Sequence, residues 1–211
     1  LNYRRLGIYS SLIDFSFKYL KKKTNLISLW PNNLNQKTSK KIKQKKIKRK
    51  FIFFLSQGSI RSRNKLEHLK KYIQISKYIK FNDVHGIVLK DKSYYKWRYF
   101  SKYYADNQVY IYKLNKSIFL FFFNEIKKEL NLLDYIGNKS KFYKNLSLVG
   151  SEIRFNFWAL NNSLLELKLS KIGFKKKNKT INNELVFLKK ENINDKDFFY
   201  MSDTDSFITL R

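Results

Sequence analysis

The residues of this sequence whose types and spacing can do chemistry are cations, and the chemistry is phosphate binding. The stretch from Lys37 to Lys50 holds eight lysines and one arginine in fourteen residues, with no acid. Its charges repel one another well inside the Debye length, and its two isoleucines bury too little apolar surface to offset the entropy cost of folding. We predict that this run binds a polyanion, with a solvated basic tail as the alternative.

A second group of cations is interleaved with flat side chains in a predicted helix over 93–104. Lys92, Lys96 and Arg98 can neutralise phosphates, and exposed rings such as Trp97 can stack on unpaired bases. The alternative is that the rings face a sheet and only the cations face outward. A pair of arginines just before the predicted helix over 64–80 is added to these two groups. The predicted RNA-binding residues are then Lys37, Lys40, Lys41, Lys43, Lys45, Lys46, Lys48, Arg49, Lys50, Arg61, Arg63, Lys92, Lys96 and Arg98.

Residue types that are typical of enzymes and metal sites occur without the spacing that such sites need. We interpret the two histidines, His68 and His85, as a solvated and a packed side chain rather than as paired ligands. The aspartates between Asp195 and Asp205 lack the glycine-defined loop of a cation site, so a solvated tail is the favoured interpretation. There is no cysteine, and no glycine-rich phosphate loop occurs. We therefore predict no catalytic residue, no metal and no cofactor, and a protein that is not an enzyme.

The elements that must position these residues alternate between strand-like and helix-like patterns. Helices are predicted near 13–20 and over 64–80, 93–104, 117–133 and 162–171. Strands are predicted at 51–55, 84–89, 109–114, 146–149, 153–158 and 184–188. This alternation predicts an α/β fold in which helices pack on a mixed sheet with parallel crossovers, preceded by an extended basic N-terminal arm.

Charge and composition predict the organisation of the chain and its partners. The net charge of +29 and the isoelectric point of about 10.1 indicate a phosphate-rich partner. The predicted segments are a basic, aromatic arm over 1–60, a globular domain over 61–191 and a polar, acidic tail over 192–211. The longest apolar runs, Phe51–Leu55 and Ile118–Phe123, are too short to cross a bilayer, and we predict no membrane partner.

The order of features over 64–191 carries a resemblance to a known family. The helix NKLEHLKKYIQISKYIK precedes the buried strand VHGIVLKD, in which Asp91 holds an acidic position. The strand VYIYKL then runs into Asn115–Lys116–Ser117–Ile118 ahead of a long helix, and NELVFLKKEN resembles a closing strand. This order resembles the ribosomal stalk-base family, large-subunit protein ten, in which a Lys–Asn–Thr–Leu element stands before the long helix.

The resemblance implies a structural, RNA-binding constituent of the large ribosomal subunit. Its partners would be ribosomal RNA and neighbouring ribosomal proteins, and Lys92, Lys113 and Lys116 match the family's basic positions near that RNA. The family's closing helix, which docks acidic stalk dimers, has no counterpart over 192–211, so recruitment of those dimers is left open. Residues with A/T-rich codons are abundant, with 19 Phe and 15 Tyr against 6 Gly and 1 Pro. This bias indicates an organellar, mitochondrial ribosome.

Three alternatives are kept beside this interpretation. One is another mitochondrial ribosomal protein of either subunit, and one is an RNA-processing or maturase-like factor. The third is a protein held on anionic lipid, which needs a continuous amphipathic helix with its lysines on one face. The run 37–50 does not fit that need, because its apolar residues are only Ile42 and Ile47.

Overall fold

The structure, a computed structural model, describes residues 8–20, 22, 26–29, 46–59, 64–79, 84–85, 88–89, 91–100, 109–161 and 163–187. The chain forms two compact units, one of residues 1–50 and 181–194 and the other of residues 51–180 and 195–211. The predicted segments 1–60, 61–191 and 192–211 divide the chain elsewhere and stay predictions. Residues 30–45, which contain most of the lysine run, lie outside the described part.

Five helices and ten strands occur in the described residues. The helices are α1 (Ile8–Leu20), α2 (Ile73–Ser76), α3 (Lys92–Phe100), α4 (Phe142–Glu152) and α5 (Leu164–Lys171). The strands are β1 (Leu26–Leu29), β2 (Lys46–Leu55), β3 (Glu67–His68), β4 (Val84–His85), β5 (Val88–Leu89), β6 (Val109–Leu114), β7 (Ser117–Asn124), β8 (Glu129–Ile136), β9 (Asn156–Leu160) and β10 (Lys175–Phe187).

The first unit contains α1, β1, residues 46–50 of β2 and residues 181–187 of β10. Strand β1 pairs antiparallel with the end of β10, from Leu26 opposite Phe187 to Leu29 opposite Glu184. The predicted helix near 13–20 is confirmed and begins earlier than expected, at Ile8.

The main sheet of the second unit has the strand order β10–β2–β9–β8–β7–β6–β3. The ladders β2–β9, β3–β6, β6–β7 and β7–β8 are antiparallel, whereas β8 and β9 are parallel. A parallel pair needs a long crossover, and α4 supplies it between β8 and β9. The predicted fold class, an α/β fold with helices packed on a mixed sheet, is confirmed.

The crossover helix packs on the strands that it connects. Phe142, in the first turn of α4, has its ring centroid 5.1 Å from that of Tyr135 in β8 and 6.2 Å from that of Phe157 in β9. Leu146 and Val149, one and two turns further along α4, are fully buried. This i, i+4, i+7 spacing places one apolar stripe of the helix against the sheet.

The prediction of one long helix over 117–133 is wrong. These residues form the hairpin of β7 and β8, joined by a turn at 125–128 in which Lys128 has a positive φ of 51°. The continuous apolar run 118–123 fits both the helix period and the strand period. Every residue of β7 is buried, which is typical of a central strand covered on both faces.

The prediction of a helix over 64–80 is wrong for most of its length. Glu67 and His68 form β3 beside β6, and only Ile73–Ser76 is helical. The side chain of Gln74 accepts a hydrogen bond from the backbone amide of Lys71 at 2.7 Å, which holds a turn between the two elements. Such side chain to backbone bonds compete with a continuous helix.

Two further predictions need correction, and several are confirmed. Residues 146–149 lie within α4 rather than in a strand, and among the strand pairs of the main sheet whose register is described only β8 and β9 are parallel. Strands at 51–55 and 109–114 are confirmed. The confirmed helices are α3, where Asp91 Oδ1 accepts from the amide of Tyr94 at 2.7 Å, and α5.

The remaining strand predictions agree with the structure in part. The predicted strand over 153–158 is β9, shifted towards the carboxyl end, and that over 184–188 is the last part of the longer β10. Residues 84–89 contain the short strands β4 and β5, which pair antiparallel with each other. Among the described residues no helix is long and apolar enough to cross a membrane.

Candidate functional site

The parallel strands β8 and β9 separate after a single paired position. Asn131 in β8 lies opposite Asn156 in β9, and no further register pair joins the two strands in the described residues. Residues 132–136 of β8 continue as a fully buried strand, paired on its other side with β7. The backbone groups of 132–136 that face β9 therefore lack a ladder partner, although buried N–H and C=O groups are nearly always hydrogen-bonded. We call this separation of the two strands beyond Asn131 and Asn156 the gap.

An irregularity in β8 stands beside the opening. In the ladder with β7, Leu120 pairs with Asp134 and Phe121 pairs with Leu132, so Leu133 is an extra residue in β8. A bulge of this kind bends its strand and increases its local twist, and bulges are frequent beside active sites. The bulge therefore gives a physical reason for β8 to leave β9 just beyond Asn131.

The two asparagines at the paired position carry an unusual polar contact for a core. The side-chain amide of Asn156 donates to Oδ1 of Asn131 at 3.2 Å, and the two residues are only 2% and 4% exposed. Oδ1 of Asn156 is buried and has no hydrogen-bond partner among the described residues. An unpaired buried acceptor is costly, so a donor group from a ligand in the gap would relieve that cost.

A buried polar cluster holds the loop that follows β8. The hydroxyl of Tyr135 donates to the carbonyl of Asn138 at 3.0 Å and lies 3.0 Å from Oγ of Ser117. The side chain of Asn145 in α4 donates to both hydroxyl oxygens, at 3.2 and 3.3 Å. A Cβ at Gly137 would collide with the Ser117 side chain and come within 2.8 Å of the Tyr135 hydroxyl. The loop is thus held close to the sheet at the carboxyl end of β8.

The amino terminus of α4 begins at this same edge and is electropositive. Its first turn contains no acid, and Lys141 at the cap position makes no side-chain capping bond. Lys141 and Lys144 are exposed. A 3-10 turn, Lys139–Lys141, runs directly into α4, and the helix dipole together with the adjacent lysines attracts anions to this start. The carboxyl edge of β8 therefore offers an anion site next to the gap.

A cluster of titratable side chains, Glu152, Tyr112 and Lys65, lies at the carboxyl end of α4. Glu152, the last residue of that helix, accepts from the hydroxyl of Tyr112 at 2.6 Å and from Nζ of Lys65 at 2.8 Å. These two donors hold the pKa of Glu152 below its usual range. Burial, followed by the bond to Glu152, raises the pKa of Tyr112 to about 12. This cluster joins three segments of the chain.

Most of the residues predicted to bind RNA lie outside the described part or in β2. Outside it are Lys37, Lys40, Lys41, Lys43, Lys45, Arg61 and Arg63. Within β2 are Lys46, Lys48, Arg49 and Lys50, of which the Lys50 side chain is described and exposed. Their role in RNA binding stays a prediction.

The side chains of helix α3 do not follow the alternative in which all rings face a sheet and only the cations face outward. Tyr95 and Tyr99 are buried, whereas Trp97 is 53% exposed. Lys92 and Lys96 are exposed, but Arg98 is only 2% exposed and lies in the interior. Arg98 therefore does not present its guanidinium to solvent in this chain.

The remaining predicted cations lie near the β6–β7 hairpin. Lys113 forms an exposed ion pair with Glu67 across the β3–β6 ladder, and its hydrogen bond is the main cause that lowers the pKa of Glu67. Lys116 is exposed in the tight turn where Asn115 has a positive φ of 54°. His68 is exposed, with its ring 5.1 Å from that of Tyr110, as expected of a solvated histidine. In the described residues no three potential metal ligands cluster.

Sequence reasoning missed the gap and its neighbours. Asn131 was placed in a predicted helix, and residues 146–149 of α4 were placed in a strand. A local signal was available in the segment Gly137–Asn138–Lys139–Ser140, because turn residues before an apolar i, i+4, i+7 pattern mark a helix start. In the structure Asn138 Oδ1 accepts from the amide of Ser140 at 2.9 Å.

Comparison with known proteins identifies a shared fold. No family model matches the sequence, and no curated protein matches it. A GCN5-related N-acetyltransferase from Anabaena variabilis ATCC 29413 matches with a TM-score of 0.56 at 13% identity, over 89% of this chain and 52% of that chain. A provisionally named acetyltransferase from Pyrococcus horikoshii has a TM-score of 0.47 at 15% identity, over 94% of this chain and 65% of that chain. The chain thus spans about half the length of the Anabaena protein.

These findings correct the resemblance and the function drawn from it. The stalk-base resemblance required a long helix after Asn115–Lys116–Ser117–Ile118, and the structure has strand β7 there. The ribosomal, RNA-binding function is contradicted by the likeness to an acetyltransferase, and neither another ribosomal protein nor a maturase-like factor is supported. The same likeness contradicts the prediction that the chain is not an enzyme. The predicted partners and mitochondrial location stay predictions. The chain is therefore similar in fold to a GCN5-related N-acetyltransferase.

Proposed function

We propose that this chain is an acyltransferase that moves an acyl group from a phosphate-bearing thioester to an amine. The observation that carries the proposal is the parallel pair β8–β9, which opens after Asn131 and Asn156 beside the basic start of α4. In open α/β sheets, ligands bind in the crevice at the carboxyl ends of parallel strands. The shared fold with an N-acetyltransferase supports the class of reaction.

The gap fits the chemistry of a donor such as acetyl-coenzyme A, a general carrier of acyl groups. The amide groups in its extended arm can pair with the unladdered edge of 132–136, as a peptide strand adds to a sheet edge. Oδ1 of Asn156 can accept from one donor N–H, which supplies the partner that it lacks. With the donor bound in this way, its phosphates lie at the start of α4, near Lys141 and Lys144.

The transfer step needs an amine nucleophile, a polarised carbonyl and a proton acceptor. The nitrogen lone pair attacks the thioester carbonyl carbon, a C–N bond forms and the C–S bond breaks. The thiol sulfur leaves with the electron pair and takes a proton, while the nitrogen loses one. We assign that last proton to Asp134, the one carboxylate in the parts of β8 and β9 beyond their paired position. Asp134 is fully buried beside the bulge, where its Oδ1 accepts from the amide of Tyr135 at 2.9 Å, and a buried carboxylate beside a ligand site is a candidate for proton transfer.

A thiol-release assay tests this proposal directly, because the chain has no cysteine to react with the reagent. The full chain is incubated with acetyl-coenzyme A and a set of primary amines, and free thiol is measured with time. Amine-dependent release that Asp134→Asn reduces by about tenfold or more in kcat, with little change in KM, supports the assignment. Absence of binding and of turnover across the amine set would overturn the proposed function.

Charge reversal locates the donor within the gap. Lys141→Glu combined with Lys144→Glu should weaken donor binding in calorimetry by about tenfold or more, since two attractive charges become repulsive. Lys171→Glu, at an exposed position in the last turn of α5, is the matched control and should leave binding unchanged. Equal loss in both variants would show that only net charge matters, which contradicts a site at the start of α4.

A further inference from the structure

Helix α1 carries apolar side chains on two opposite faces. Phe17 is 6% exposed and faces the protein interior, whereas Leu12, Phe15 and Tyr19 are 58%, 69% and 52% exposed. At 100° per residue these three exposed side chains fall within about 60° of one another, opposite Phe17. They form a continuous outward stripe, which we call the α1 stripe. A helix that serves only to cover a core needs one apolar face, and α1 exposes a second.

We propose that the α1 stripe is a membrane-surface anchor that enters the interface of an anionic lipid bilayer. Interfacial helices place aromatic and aliphatic residues on one side and lysines at its border. Lys18 is exposed and lies about 60° from Phe15 around the helix, so its stem can run along the stripe while its ammonium reaches the headgroups. Lys22, just after the helix, is also exposed. The single acid of the helix, Asp14, points about 130° away from the centre of the stripe.

Charge decides between a lipid surface and a second copy of the chain. The protein carries a net charge of +29, so two copies that met through α1 would repel each other. An anionic leaflet attracts the same charges and concentrates the protein where the stripe can insert. The run 37–50 has only two apolar residues, Ile42 and Ile47, whereas α1 is an amphipathic helix with an exposed apolar stripe. The length of α1, 13 residues, is suited to lying on a bilayer.

The absence of cysteine permits a site-specific test on the full chain. Phe15→Cys carries an environment-sensitive fluorophore, and Leu167→Cys carries the same label as the matched control. Leu167 is 60% exposed on α5, so both labels start in water. Each protein is mixed with vesicles of phosphatidylcholine and phosphatidylserine, or of phosphatidylcholine alone. We expect a blue shift at position 15 with the anionic vesicles only, and none at position 167.

A second measurement separates insertion from simple charge attraction. In co-sedimentation with the anionic vesicles near physiological salt, Phe15→Ser should reduce the partition coefficient by about tenfold, because it removes one inserted aromatic side chain. Phe15→Leu should retain most of the binding. Because Phe15 is exposed, circular dichroism should show an unchanged fold in both variants.

Three outcomes would overturn the proposal. The label at position 15 could stay in water while the chain sediments with vesicles, which would mean that lysines alone bind. It could shift without vesicles as protein concentration rises, which would indicate a second copy. It could shift with an RNA oligonucleotide and not with vesicles, which would assign the stripe to nucleic acid. None of these outcomes bears on the acyltransferase proposal, which concerns the other unit.

Discussion

The side-chain amide of Asn156 donates to the side-chain oxygen of Asn131 at 3.2 Å, at the one position where β8 and β9 pair. This contact lies at the last paired position of the two strands, and the gap begins directly after it. Its position explains how an open sheet stays together without a longer ladder. Substitutions at this contact and at its neighbours show how the surrounding sheet is held together.

Removing the contact between Asn156 and Asn131 should lower the stability of the protein. Asn156→Ala leaves Oδ1 of Asn131 without its donor, and we expect a loss of about 1–3 kcal/mol in the free energy of unfolding. Urea denaturation of Asn156→Ala, Asn131→Ala and the double variant measures the coupling between the side chains. We expect the double variant to lose less than the sum of the single losses. Strict additivity would show that the two amides do not interact.

Ser56 joins the end of β2 to the segment before β9. Its hydroxyl donates to the carbonyl of Ile153 at 2.7 Å and accepts from the amide of Phe155 at 2.8 Å. Ser56→Ala leaves two buried backbone groups without that partner, so unfolding should become easier by about 1–3 kcal/mol. The control is Ser151→Ala, at an exposed serine of α4, which should change stability by less than about 0.5 kcal/mol. A similar small change in both variants would contradict this role of Ser56.

Gly58 has backbone of another segment where a side chain would be. A Cβ there would collide with the backbone of Glu152 and Ile153, which cannot move away as a flexible side chain can. We expect Gly58→Ala to lower the unfolding midpoint in a thermal melt, at a cost of about 1–3 kcal/mol. Ser59→Ala, at the exposed next position, is the matched control. An unchanged midpoint for Gly58→Ala would mean that the two segments do not approach so closely.

The raised pKa of Tyr112 predicts a loss of stability in alkaline solution. Burial first, and then the bond to Glu152, raise this pKa from 10.0 to about 12. Between these values the unfolded chain loses the phenolic proton while the folded chain keeps it, so stability falls as pH rises through this window. Below pH 10 both states keep the proton, so Tyr112 no longer makes the stability depend on pH. Tyr112→Phe should flatten the fall in urea midpoint between pH 10 and 12, relative to the parent chain.

A matched tyrosine isolates that effect. Tyr110→Phe, two residues earlier in β6, leaves the Glu152 bond intact and should show the parent's pH dependence. In an absorbance titration of the phenolate band, only Tyr112→Phe should remove a step near pH 12. If both variants have the same profile as the parent, Tyr112 titrates as an ordinary tyrosine.

Local chemistry in the sequence was sufficient where one pattern excluded the others. Asp91 caps α3, because its carboxylate lies next to the helix start and accepts from the amide of Tyr94 in the first turn. The strand 109–114 follows from its β-branched and aromatic residues, which favour strands. The mixed α/β class followed from the succession of such segments, even where single elements were misassigned.

The absence of enzyme motifs was a weaker guide. No glycine-rich loop or paired catalytic residues marked the gap, because the gap consists largely of backbone and of two buried asparagines. The lysine-rich run dominated the functional prediction, since a charge cluster is visible in sequence and a strand separation is not. The stalk-base resemblance then depended on element order, and it failed when 117–133 proved to be two strands.

The sequence by itself determined the basic charge, the aromatic core composition and the elements with strong local caps or alternation. Only the tertiary structure decided that the run 117–124 is a strand, that Leu133 is an extra residue in β8, and that Asn131 meets Asn156. The physical reason is that a wholly apolar run satisfies helix and strand equally well until its neighbours cover it. Likewise, an opening between two strands is set by partners far apart in the chain, and no local pattern specifies it.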